Sequence, residues 1–142
     1  MSLYSQRLNI LTKELKILKD RQKKRLKVNQ QIMYNFITGV TKKAIFEIES
    51  KGITVSLQKG DSKKGFVHIL EKYYCKDCPG EITTKDILNF SNIIESGIKL
   101  GSEGVTNKEL IVFYHSKGIK KHKVVLKPLL NNNFVVTIYS IE

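Results

Sequence analysis

The stretch KKGFVHILEKYY, Lys63 to Tyr74, decides how the chain is read. Phe66, Ile69, Leu70 and Tyr73 recur at helical spacing, which predicts a short amphipathic helix with those four side chains on one buried face. At about 100° per residue His68 then points away from that face, with Lys64 one turn before it and Lys72 one turn after. An imidazole between two cations on the polar side of a helix has two readings. It is a solvated surface histidine, or it is an acid or base at the mouth of a phosphate-binding cleft.

Outward from that helix the chain alternates turns with regular elements. Upstream, GITVSLQ, opening at Gly52, reads as a strand, and KGDSKKG as the turn that leads into the helix. Downstream, CKDCPGE is a loop with Pro79 and Gly80 as breakers. Thr83 or Thr84 caps a second helix running to about Gly97, with Ile87, Leu88, Ile93 and Ile94 on its apolar side. The rest is β: ELIVFYHS, a turn at Lys117–Gly118, IKKHKVVLK, a turn at Asn131–Asn133, and FVVTIYSI. Strands joined by such short turns imply an antiparallel meander.

At the other end, Leu8, Leu11, Leu15 and Leu18, then Met33, Phe36 and Val40, follow a three-and-four spacing, so most of residues 3–49 should be helical. The segment KDRQKKRLK, Lys19–Lys27, interrupts the apolar stripe, and Gly39 is a place for a kink. The expected fold class is therefore α+β. A basic helical N-terminal extension (residues 1–51) precedes a domain of two short helices packed on an antiparallel sheet (residues 52–142).

With 142 residues, 41% of them hydrophobic and 27% charged, the chain suits one globular core. The formal net charge of +12 favours polyanions: RNA, DNA, an acidic protein or an anionic membrane surface. Residues 1–51 carry 12 basic and 4 acidic side chains, against 13 and 9 over residues 52–142, so the charge is concentrated at the front. No run is long and apolar enough for a membrane span or a secretory h-region. Two cysteines are too few for a disulfide framework, so the expected compartment is the reducing cytoplasm, or a target cell if the protein is delivered as an effector. The sequence does not specify an oligomeric state.

Cutting RNA without a metal needs a base for the 2′-hydroxyl, an acid for the leaving 5′-oxygen and cations or donors for the phosphorane. Histidine, with an ordinary pKa of about 6.5, suits the first two roles. His68 is the leading candidate. Alternation along KKHKVVLK places His122 with Val124 and Leu126, a position that suits a core histidine as well as a catalyst. His115 ends its strand on the face of Ile111 and Phe113, and the core reading is the stronger there. In the last strand Thr137 and Tyr139 should share a face with Val135 and Ile141, where hydroxyls finish a sheet edge or orient a phosphate. Lys120, Lys121, Lys123 and Lys127 suit a nucleic-acid backbone, alternate lysines lying about 6.6 Å apart, although edge-strand protection produces the same pattern.

Cys75-x-x-Cys78 is half a zinc site with no second pair, so no metal and no other cofactor is expected. A Gly-rich phosphate loop, HExxH, a paired-carboxylate motif and GxSxG are all missing, which argues against nucleotide hydrolases, zincins and α/β-hydrolases. Aromatic residues are 8% with no Trp, which disfavours a base-stacking platform.

The order of elements, with GFVHILEK on a first helix, DILNFSNIIESG on a second, and strands ending in VVTIY, resembles the barnase–EndoU–colicin–RelE-like nuclease superfamily in its phage- and toxin-associated branch. The likeness covers roughly residues 52–142. It implies metal-independent endoribonuclease cleavage by 2′-hydroxyl transesterification, leaving a 2′,3′-cyclic phosphate. It also implies a site made of His68, Lys121 or His122, and Thr137 with Tyr139 behind it, and an acidic antitoxin or immunity protein as partner. Lys64, Lys72, Lys120, Lys123 and Lys127 would then contact RNA. The chain departs from the branch at Tyr73 and Tyr74, where members often carry a second histidine or a charged residue. Outside the superfamily, the same basic surface suits a non-catalytic nucleic-acid-binding or protein-interaction module.

Overall fold

A computed structural model describes residues 2–21, 25–76, 78, 81–99, 110–116 and 120–141; for 98–99, 110–116, 120–121 and 137–141 the description is of the backbone. The chain is α+β. Helices α1 (Leu3–Arg21) and α2 (Val28–Ile37) lead into strands β1 (Lys43–Ile48) and β2 (Ile53–Gln58). Then come helices α3 (Gly65–Tyr73), α4 (Thr84–Leu88) and α5 (Phe90–Gly97), and strands β3 (Ile98–Lys99), β4 (Leu110–Ser116), β5 (Lys120–Pro128) and β6 (Asn133–Ile141).

The six strands form one sheet in the order β1-β2-β6-β5-β4-β3. Strand β1 alternates exposed and buried residues, Ala44, Phe46 and Ile48 facing inward, and Val55 and Leu57 of β2 continue that inner face. The helices supply the other half of the core. Leu11 and Leu15 of α1, Met33 and Phe36 of α2, and Phe66, Ile69, Leu70 and Tyr73 of α3 join Val124, Leu126 and Val136 in a single apolar cluster. Each fully buried side chain of that size contributes about 1.5–3 kcal/mol. On the outer sheet face Lys43, Ile45, Gln58 and Lys127 are exposed while Val125 is buried, and the described helices lie over the other side of the sheet.

Three expectations are corrected. Residues 43–48 are a strand rather than the end of a helix: α2 stops at Ile37, Gly39 turns the chain at φ +85°, and Val40, expected on the apolar stripe, is 71% exposed. The sheet is mixed rather than wholly antiparallel, because β2 runs parallel to β6, Val55 opposite Phe134. The helix capped by Thr83 is divided at Asn89 into α4 and α5. Its start is as expected: Thr83 Oγ1 accepts from the Asp86 amide at 3.2 Å, and Asp86 Oδ2 accepts from the Thr83 amide at 3.0 Å, a reciprocal capping box. The core draws side chains from both sides of the boundary placed at residue 51, and β1 pairs with β2 across it.

Candidate functional site

Helix α3 buries the four residues its spacing selects, and His68 lies half-buried on its opposite edge. The preceding turn orients the ring. Asp61 Oδ1 accepts from the amides of Lys63 at 2.8 Å and Lys64 at 3.2 Å, closing an Asx-type turn. Asp61's carboxyl is held below its ordinary pKa by the Lys63 amide first, opposed by desolvation, with the Lys64 amide and the two lysine charges also lowering it. Gly60 and Gly65 are in the left-handed region at φ +65° and +83°, and a Cβ on Gly60 would meet the Lys64 carbonyl oxygen at 2.1 Å, so this turn needs glycine there.

The Ser62 carbonyl of that turn lies 2.8 Å from His68 Nδ1. A carbonyl only accepts, so Nδ1 carries the proton and the lone pair of the neutral ring is on Nε2. Lys63 and Lys64 of the turn and Lys72 of α3 are exposed, as is Lys59, whose ammonium stands 5.5 Å from the centre of the Tyr4 ring on α1. An imidazole fixed in this tautomer within a cationic rim can accept a proton beside a bound anion.

Behind His68 the rings continue inward. The His68 and Tyr73 rings meet edge to face with centroids 5.8 Å apart, and Tyr73 meets His122 the same way at 6.2 Å. Tyr73 is buried and His122 has no exposed surface. His122 shares the inner sheet face with Val124 and Leu126, as alternation predicts. The direct phosphate contact considered for His122 is corrected on this ground: a ring sealed under the helix layer does not reach a nucleic-acid backbone. Its access to His68 runs through Tyr73. Spacing along α3 puts Tyr73 in the core, but its contact with His122 depends on the sheet's placement, which spacing does not supply.

The remaining candidates divide between the two sides. Lys64 and Lys72 flank His68 on the helix layer, whereas Lys123 and Lys127 occupy the strand positions that alternate with the core residues Val124 and Leu126. They belong to the outer sheet face and do not converge with His68. Lys120 and Lys121 stand opposite Ser116 and His115 of β4. Along β6 the register passes from Val125↔Ile138 to Leu126↔Val136, so Thr137 is the extra residue of a β-bulge. The bulge shifts the alternation by one. Val135 stands opposite Lys127, while Tyr139 stands opposite the core residue Val124 and Ile141 opposite His122, so the single face expected for these residues is broken.

The helix also carries connections that spacing does not predict. Arg7 of α1 donates to the carbonyls of Leu70, at 2.8 Å, and Glu71, tying the C-terminal turn of α3 to α1. The Tyr74 hydroxyl lies 2.9 Å from the Glu14 carboxylate and 2.8 Å from the Thr84 hydroxyl, which also meets Glu14, so two hydroxyl protons are shared among three contacts. Cys75 and Cys78, read as half a zinc site without a second pair, are joined by a disulfide just after α3. Sulfurs so joined offer no thiolate to a metal, and among the described residues no three His, Cys, Asp or Glu side chains gather as a ligand set. No helix among the described residues is long and apolar enough to cross a membrane. Compared with protein-family models, characterised proteins and solved structures, the chain matches none.

Proposed function

We propose that this chain binds RNA through the lysines around α3 and cleaves it without a metal, with His68 as the general base. The observation that carries the reading is the Nδ1–H···O=C bond to Ser62, which directs the Nε2 lone pair and stabilises the imidazolium formed when Nε2 takes a proton. In the proposed step Nε2 accepts the 2′-hydroxyl proton as the 2′-oxygen attacks phosphorus. The P–O5′ bond breaks, the leaving oxygen takes a proton from solvent water, the His68 imidazolium returns its proton to solvent, and the products are a 2′,3′-cyclic phosphate and a 5′-hydroxyl. Lys64 and Lys72 balance the phosphorane charge. Thr137 is the proposed orienting donor, with Tyr139 behind it, while His122 positions His68 through Tyr73; Lys121 alternates onto the face of Lys123 and takes no part in this site.

The superfamily resemblance, the toxin or phage-associated setting, the acidic antitoxin or immunity partner, and action in the cytoplasm or a target cell belong to the same proposal. The test is end analysis of RNA incubated with the protein in a chelator. Cyclic phosphate and 5′-hydroxyl termini are expected; intact RNA, or 5′-phosphate termini, contradict the reading. The burial of His122 favours a second reading, a non-catalytic RNA-binding module, because it removes the second imidazole from the surface. That reading is the one supported by salt-sensitive binding with no turnover.

A further inference from the structure

Helix α1 carries two apolar stripes, and the core uses one. Tyr4, Leu8, Leu11 and Leu15 face inward, with Leu11 and Leu15 buried. Leu3, Ile10 and Ile17 repeat at a seven-residue spacing about 120° around the helix from that stripe, and they are 45%, 51% and 50% exposed. At the Ile17 end, α1 and the start of α4 enclose a groove of about 360 Å³. Ile17, Leu18, Glu14, Thr84, Arg21 and Lys85 are among the residues that line it. Glu14 is held there by the Tyr74 and Thr84 hydroxyls. A narrow row of apolar side chains, one per heptad with polar residues between, ending at a groove lined by Ile17 and Leu18 together with Arg21 and Lys85, offers single anchor points to another helix.

We propose that this face of α1 docks an acidic amphipathic helix of a partner protein. Apolar side chains of the partner at heptad spacing would cover Leu3, Ile10 and Ile17, the last entering the groove, and its carboxylates would meet Arg21, Lys85 and Lys13. Charge selects this occupant over a second copy of the chain, since pairing two α1 helices brings together two molecules of formal charge +12. Geometry selects it over a lipid surface. A membrane-seated helix needs a broad apolar side, and the broad side of α1 is already committed to the core. The inference rests on the acidic partner of the proposed function and gives it a surface, while its test does not depend on RNA cleavage.

The test uses the full chain and a synthetic peptide of about three heptads with Leu at the a and d positions and Glu at e and g. Saturable one-to-one binding is expected. Ile10→Gln with Ile17→Gln should weaken it at least about tenfold, and Arg21→Glu with Lys85→Glu should do the same, whereas Leu130→Gln, at an 83%-exposed apolar residue elsewhere, should leave it unchanged. Because Ile10 and Ile17 are half-exposed, their replacement leaves the melting curve close to that of the parent, which confirms a folded variant. Absent binding, or equal binding by the isoleucine double variant, overturns the proposal. So does a dimer in sedimentation that Ile10→Gln dissociates, and so does capture by phosphatidylserine vesicles that the same variant abolishes.

Discussion

His68 can be placed from its sequence neighbours because helical periodicity is local: four apolar residues fix a face, and the imidazole takes the other side. Its tautomer is out of reach of that reasoning. It depends on a carbonyl six residues upstream that a glycine-bounded turn brings back to the ring. Tyr74 is a similar case. Burial pushes its phenol above the ordinary pKa, and the neighbouring Glu14 carboxylate adds to the rise against the Thr84 hydrogen bond. The folded state thus favours the protonated phenol. Its contribution is complete below the unfolded pKa of about 10 and declines as pH rises beyond it. Tyr74→Phe should cost about 1 kcal/mol at neutral pH, and the gap from the parent should narrow above about pH 10. Melting curves of both proteins from neutral to alkaline pH check this; a constant gap contradicts it.

Among the elements, those with one uninterrupted period are legible, including α3, the Thr83 cap and the strands β4 and β5. Residues 43–48 read wrongly as helix because the apolar positions before them keep a helical spacing as far as Val40. The alternation Ala44, Phe46, Ile48 is the available signal, and Gly39 the available stop. The β6 bulge gives no comparable signal, since one extra residue leaves the sequence alternating while the ladder slips. The disulfide escapes for another reason: composition speaks to compartment, whereas bonding requires two Cα atoms at bridging distance, here 5.6 Å. Because Cys75 and Cys78 close so short a loop, replacing both by Ser should lower stability by only about 2 kcal/mol. Denaturant titration of the oxidised parent and the double variant measures this. Coincident midpoints would mean that the bond adds nothing to the fold.

For the whole molecule, composition points to a polyanion partner but does not say which surface faces it. That follows from the one-sided layering, which puts Lys63, Lys64 and Lys72 on the His68 side and Lys123 and Lys127 on the other. Replacing Lys63, Lys64 and Lys72 together by Gln should lower the salt slope of single-stranded RNA binding by about 0.7 per lost contact. An unchanged slope would assign those lysines to solubility. The central claim, that His68 is the reactive group of a folded RNA-cleaving site, is tested most directly by His68→Ala assayed for melting and cleavage on one preparation. Loss of the Ser62 bond should cost about 1 kcal/mol, which leaves the fold intact, while turnover should fall by about 10²–10⁴-fold. Undiminished cleavage by the folded variant would contradict the account.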